Sequence, residues 1–318
     1  MTPSQPPPIA IEIRGLTRSF GAVNALAGLD LEVYEGDLLG LVGSNGAGKT
    51  TTLRILATFL LPTSGTVKVL GHNVVTEAET VRGLIGYMPD FFGVYKDMEV
   101  EEYLDFFAAC YRIPSARRPR VVLDVLELVG LADKRTALVG TLSRGMQQRL
   151  GLARVLIHQP RVLLLDEPAS GLDPRARLEL MAILQELQRM GKTIIISSHI
   201  LRELETLCNR IAILEKGRLT YTGPTAGASQ RDPHRGLLVW ARVAGDATAA
   251  AAVLRGRPEV LDVQPVDHGL RIHLAPGEAD AGLVAEVLVH GGFRLLELRE
   301  ERPGLEEVFL RMTTGETQ

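Results

Sequence analysis

Cysteine is nearly missing from this sequence: Cys110 and Cys208 are the two copies in 318 residues, far apart and in no metal-ligand spacing. That excludes a disulfide framework and a zinc site, and it points to a reducing cytoplasm. Long apolar runs are missing as well, since none reaches the roughly eighteen residues that a membrane-spanning helix needs. Any work at a membrane is therefore expected to fall to another polypeptide. The opening MTPSQPPPIA has neither a basic stretch nor an apolar one behind it, so it does not read as a secretory signal. Its three successive prolines suggest a short extended lead-in. Excess charge is scarce too. A net charge of −3 gives no global pull toward nucleic acid or anionic lipid, and no strong basic patch is visible. No internal repeat is apparent.

What is present is globular. With 46% hydrophobic and 23% charged residues the chain fits ordinary domains that bury cores, and 318 residues suit two of them. Residues 9–14, 29–33, 38–42 and 66–70 read as short strands, and residues 49–60 change to helical spacing. A strand, a glycine-rich turn and a helix in that order begin a nucleotide-binding α/β unit. Residues 162–165 and 193–197 are continuous apolar runs, the mark of parallel strands covered on both faces. Between them a helix is capped by Asp173, carries Pro174 in its first turn and ends near Gly191. Leu180, Ile183, Leu184 and Leu187 line one face of it. Residues 210–214 and 218–221, separated by Lys216-Gly217, read as a closing hairpin.

Residues 100–138 keep a helical period throughout, through Tyr103, Phe106, Phe107 and Tyr111 and then Val122, Val125, Leu126 and Val129. They predict an all-helical insertion in the α/β core. The stretch GPTAGASQRDPHR, residues 223–235, has linker composition. Beyond it strands at 237–243, 260–266, 270–274 and 293–298 alternate with helices at 247–254 and 279–289. That βαββαβ order suits a small ferredoxin-like α+β sandwich, with a final helix at 305–312.

Gly43-Ser44-Asn45-Gly46-Ala47-Gly48-Lys49-Thr50 fits the phosphate-loop pattern G-x-x-x-x-G-K-[ST] without mismatch, and Thr51 continues it. The glycines let backbone N–H groups turn inward around phosphate oxygens, and the helix that follows offers its positive end to the same anion. Lys49 reaches the β- and γ-phosphates, and the Thr50 hydroxyl is placed to ligate Mg²⁺. Asp166 and Glu167 close an apolar strand. Carboxylates are costly to bury unpaired, so a reason is needed. Asp166 in a magnesium shell supplies one, and Glu167 beside it orients or polarises the attacking water.

On these residues the first 225 positions resemble the ATP-binding cassette (ABC) ATPases. Leu142-Ser143-Arg144-Gly145-Met146-Gln147 looks like the family signature, Ser170-Gly171-Leu172-Asp173 like its D-loop and His199 like its switch histidine, all in family order. The resemblance implies a P-loop NTPase core of the ABC type, with a mixed sheet and a helical subdomain over about 91–160. It implies ATP and Mg²⁺ as ligands and two cassettes closing head to tail, as a homodimer or with a paralogous ATPase. Ser143, Arg144, Gly145, Met146 and Asp173 would then contact ATP held by the other copy, and His199 would contact the γ-phosphate. Phe20 resembles the aromatic that stacks on adenine; filling the core is the other reading of it.

Two positions depart from the family pattern. Arg144 stands where the signature usually has a second small residue, with Met146 in place of the common glutamine. Asp90 stands where the strand 85–90 usually ends in glutamine; it keeps an oxygen for the metal shell but adds charge and shortens the reach. Phe91 and Tyr95 lie where the resemblance puts the contact with a membrane permease, and packing inside the helical subdomain is the alternative. Arg112, Arg117, Arg118 and Arg120 read as a solvated run.

The C-terminal region is similar to extensions on bacterial ABC-2 type exporter ATPases, including drug-resistance members. The expected organisation is an ABC ATP-binding domain at 1–225, a linker at 226–236 and an accessory α+β domain at 237–318. The expected function is an exporter ATPase, peripheral on the cytoplasmic face of the inner (plasma) membrane and without nucleic acid. The alternative is a soluble ABC ATPase of translation or DNA repair. Those usually carry tandem cassettes or a long coiled-coil insertion, and only about fifty residues separate Asp90 from Leu142 here.

Overall fold

The structure is a computed structural model that describes residues 7–91, 93–225, 236–266, 269–276 and 280–301. The chain divides into two compact units, Met1–Thr225 and Ala226–Gln318.

The first unit is built on two sheets. Its antiparallel sheet runs β2-β1-β4-β5, with β1 Ile9–Phe20, β2 Val23–Tyr34, β4 Ser64–Val69 and β5 His72–Asn73. Its six-stranded sheet runs β10-β9-β3-β8-β7-β6. Here β3 is Leu38–Val42, β6 Ile85–Met88, β7 Val162–Leu165, β8 Thr193–Ser198, β9 Arg210–Glu215 and β10 Arg218–Pro224. Five of these strands are parallel and β10 turns back antiparallel on β9, so the sheet is mixed. Every residue of β3, β7 and β8 is buried, which is why 162–165 and 193–197 read as continuous apolar runs. Ile11, Leu29 and Val67 from the first sheet and Leu39, Leu41 and Leu164 from the second share one core with Leu53 and Leu56.

Helices α1 Lys49–Leu56, α2 Ala78–Leu84, α6 Pro174–Arg189 and α7 Leu201–Leu207 flank the sheet. Asp173 caps α6 by accepting from the Arg175 and Ala176 N–H groups, and Leu180, Leu184 and Leu187 are its buried stripe. The helical part holds α3 Val100–Cys110, α4 Arg118–Leu128 and α5 Arg144–Leu156. Glu99 and Glu102 form a capping box on α3.

Some elements differ from the sequence reading. The first two strands are about twice as long as predicted, because register shifts between Ile13 and Leu16 and between Arg18 and Ser19 break their alternation. Helix α1 stops four residues early. Thr58 turns into the left-handed region at φ 64, and the N–H groups of Phe59 and Leu60 both fold back on the Arg54 carbonyl. No glycine marks that stop. The insertion at 100–138 is not helical throughout, since short 3-10 turns at Ser115–Arg117 and Ala132–Lys134 interrupt it.

The second unit follows the order β11 Leu238–Ala244, α8 Ala247–Arg255, β12 Val260–Val266, β13 Gly269–Leu274, α9 Ala281–His290 and β14 Arg294–Glu301. Its antiparallel sheet runs β12-β13-β11-β14, the ferredoxin-like arrangement. Asp246 and Asp280 cap its two helices, whose Leu254 and Val284 meet Val239, Val263 and Ile272 in one core. All of the predicted 226–236 linker but Gly236, and the predicted final helix at 305–312, lie outside the described residues. Both cysteines are free, Cys110 exposed and Cys208 buried, and among the described residues no helix is long and apolar enough to cross a membrane.

Candidate nucleotide-binding site

The loop after β3 is shaped by what surrounds it. A side chain at Gly43 would stand 2.4 Å from the Leu214 carbonyl. Gly48, at the head of α1, has φ 106, and a Cβ there would meet Leu26 and the Ala25 carbonyl below 3 Å. Neither position admits another residue without a shift in backbone. The β9–β10 turn clasps the loop from outside: Gly217 N–H donates to the Ala47 carbonyl at 3.0 Å, and the Gly217 carbonyl accepts from Ala27 at 2.9 Å. Lys49, buried to 7% exposure, donates through Nζ to the carbonyls of Gly43 at 2.6 Å and Ser44 at 3.3 Å.

The acids arrive on β7. Asp166 is 1% exposed, and its Oδ1 accepts from the Thr50 hydroxyl at 3.1 Å and the Ser197 hydroxyl at 2.7 Å. Two hydroxyl donors offset part of the cost of burying that charge. The Ser197 oxygen in turn accepts the Glu167 N–H at 2.9 Å, so one side chain on β8 holds both acids. Glu167 sits in the left-handed region at φ 48, a conformation that stores strain in a residue other than glycine. Its Oε1 lies 3.7 Å from Lys49 Nζ and its Oε2 2.9 Å from Nδ1 of the half-exposed His199. The Glu167 carboxylate therefore stands between a lysine and a histidine. Nearby, burial first and then the negative charge of Asp166 raise the pKa of the Tyr87 hydroxyl, which stays protonated at neutral pH.

These groups open on a cleft of about 600 Å³ lined by the loop residues Ser44, Asn45, Gly46, Ala47, Gly48, Lys49, Thr50 and Thr51 with Phe20, Asp90, Glu167, Ser170 and His199. The volume is that of a small-molecule site. Phe20 is 47% exposed at its edge, with the Arg18 guanidinium 4.5 Å from the ring centroid, so it is not a core ring. The oxygens of Thr50 and Asp166 fit a hard divalent ion that takes its other ligands from phosphate and water, as Mg²⁺ does. Among the described residues no group of three or more His, Cys, Asp or Glu is placed to hold a metal ion by itself.

Ser143, Arg144, Gly145, Met146 and Asp173 do not line this cleft. They gather where α5 starts beside α6. The Ser143 hydroxyl accepts the Met146 N–H at 3.3 Å, and Gly145 packs so close to Ala176 that a Cβ would stand 2.6 Å from its methyl. Phe91 is 87% exposed, which sets aside a core role for it, while Tyr95 packs at 6.0 Å edge-on against Phe106. Sequence reading passed over Ser197 and the clasp at Gly217. A serine near the end of a predicted strand carries no signal of its own.

A glycine-lined loop heading a helix, a lysine folded into it and two acids at the end of the neighbouring-but-one strand define an α/β nucleotide-binding ATPase. The profile of the ABC transporter family matches residues 26–170. The Nod factor export ATP-binding protein I of Rhizobium sp. (strain N33) is 35% identical over 310 residues, 98% of this chain and 99% of that protein. The daunorubicin resistance ATP-binding protein DrrA3 of Streptomyces coeruleorubidus is 37% identical, covering 96% of each chain. The bacitracin transport ATP-binding protein BcrA of Bacillus licheniformis is 32% identical over 96% of this chain and 98% of that one. Among solved structures, the ATP-binding subunit of an ABC transporter superposes with a TM-score of 0.62 at 28% identity, covering 69% of this chain and 91% of the other. The cbiO1 subunit from Clostridium perfringens gives 0.64 at 26%, covering 69% and 90%. The chain belongs to the ATP-binding proteins of the ABC transporter family, and it is an ATPase of that type.

Proposed function

We propose that this chain is the motor subunit of an ABC-2 type exporter, hydrolysing MgATP to drive a separate multi-span permease. The observation that carries the reading is the Glu167 carboxylate set between Lys49 and His199, next to an Asp166 held by Thr50 and Ser197. Relatives along nearly the whole length are named for export, resistance or transport, which favours this reading over translation or DNA repair.

The roles divide as follows. Residues 43–51 cradle the phosphates with backbone N–H groups, Lys49 trades its two loop carbonyls for β- and γ-phosphate oxygens, and Phe20 stacks on the base. Thr50, Asp166 and Asp90 would hold Mg²⁺, which when bound would supply positive charge beside the phosphates. Glu167 orients the attacking water and accepts its proton, while His199 steadies that carboxylate through Nδ1. A second copy, or a paralogue, closes the site with Ser143, Met146, Asp173 and the first N–H groups of α5 at Arg144 and Gly145, which have no partner inside the helix. Phe91 and Tyr95 mark the permease contact, at the cytoplasmic face of the membrane. In domain terms, 1–225 is the ATP-binding domain with a helical subdomain at about 91–160, 226–236 a linker and 237–318 an accessory domain.

The test is Glu167→Gln in the full chain. ATP binding is retained, turnover falls about a thousand-fold and light scattering detects an ATP-trapped dimer. Hydrolysis at the wild-type rate would sink the assignment.

A further inference from the structure

Arg144 opens α5, at the end of the helix where the backbone already presents positive charge. A cation is poorly placed there for helix stability, so its position asks for another reason. Its Nη2 donates to the Ser170 carbonyl at 3.0 Å. The guanidinium also crowds Gly171: a Cβ at that residue would stand 2.4 to 2.5 Å from Cζ and both terminal nitrogens. Gly171 has φ 65 besides, so the backbone favours glycine there, and the missing side chain leaves the room that the guanidinium fills.

Ser170 belongs to a short turn that begins at Glu167. Its N–H donates to the Glu167 carbonyl at 3.0 Å, and Leu172 N–H closes the next step on Ala169 at 3.3 Å. The turn is strained at Glu167 and has to be held. From the sheet side Ser197 holds it, accepting the Glu167 N–H. A second hold comes from Arg144, at the head of α5, on the Ser170 carbonyl. Gly145 against Ala176, and Arg149 with Glu179 at 3.4 Å, keep α5 seated beside α6 while it does so.

We propose that Arg144 is a positioning residue for ATP hydrolysis: from the head of α5 it fixes the 167–171 turn and thereby sets the Glu167 carboxylate between Lys49 and His199. The proposal rests on the hydrolytic role given to Glu167 above. It gives the chain a mechanical link between its two halves of the reaction. Any shift at the head of α5, including its engagement by nucleotide on a second copy, moves Ser170 and so the glutamate of the same chain. A small residue at 144 would leave the Ser170 carbonyl to water and the turn free to relax.

Steady-state hydrolysis by the purified full chain decides it. In Arg144→Ala we expect kcat to fall about ten-fold with KM for ATP changed less than about two-fold, the signature of a misplaced group rather than lost binding. Arg144→Lys keeps one donor for Ser170 and should recover part of the loss. Because Arg144 is exposed, its thermal midpoint should move by no more than about two degrees, which separates positioning from folding. Placed in the Glu167→Gln chain, Arg144→Ala should lower the residual rate no further, since its effect passes through that carboxylate. A raised KM with unchanged kcat would make Arg144 a phosphate ligand instead, and no change in either would leave it no role; both overturn the proposal, as does a further loss in the Glu167→Gln chain. Wild-type turnover by Glu167→Gln alone is a different failure, that of the hydrolytic reading itself.

Discussion

Helices α1 and α5 both begin at a loop suited to an anion, but their surroundings differ. Gly48 at the head of α1 is pressed under Leu26 and Ala25, and the lysine, hydroxyl and acids that complete its chemistry all come from the same chain. Ser143 at the head of α5 is exposed, and neither it nor Gly145 lines the nucleotide cleft. One helix start is enclosed by its own fold, and the other lies open at the surface. The contrast teaches that the residues of the nucleotide cleft come together within one fold, while the head of α5 is the part that the proposed closure by a second copy would use.

Substitutions can break that contrast from either side. The largest effect belongs to Glu167→Gln, for which kcat should fall about a thousand-fold while ATP affinity is kept, read by phosphate release and equilibrium binding. Lys49→Ala removes a buried cation from the loop and should weaken ATP binding about thirty-fold, measurable on the isolated chain by calorimetry. Ser143→Ala should leave that monomer affinity unchanged and lower turnover about ten-fold, while losing the cap costs about 1 kcal/mol of helix stability. Mixing Lys49→Ala with Ser143→Ala chains sharpens the point. A head-to-tail pair made of one of each keeps one intact composite site, so the mixture should hydrolyse ATP faster than either variant alone. If it does not, the two halves do not meet across a dimer. Phe20→Ala should have the smallest effect, raising KM about five-fold through lost stacking.

How much of this could be read in advance varied with the kind of signal. The phosphate loop was legible because glycine, lysine and threonine are needed there at fixed spacing. Asp166-Glu167 was legible because two acids ending an apolar strand are costly without a purpose. Ser197 was not, although it holds both acids, because its partners at 166 and 167 are about thirty positions away and serine is common at such a place. The order of the parallel sheet was hidden for the same reason. The βαββαβ unit was readable since each of its turns joins elements close in sequence, whereas the caps at Asp246 and Asp280 emerged only in the structure. The early stop of α1 was invisible because Thr58, not a glycine, takes the left-handed turn.

The neighbours of β3 set a schedule for synthesis. This strand, buried at all five positions, pairs through Leu38 with Ile194 on one side and through Leu39 with Arg210 on the other. Emerging from a ribosome, the strand that leads into the phosphate loop stays without either neighbour until more than 150 further residues follow, on the order of ten seconds at ordinary rates of translation. Such a strand is sticky while it waits, so a nascent chain stalled before β8 should aggregate or recruit a chaperone. Truncations ending before Leu214 should be insoluble for the same reason. The part of the cassette written almost first is among the last to be completed.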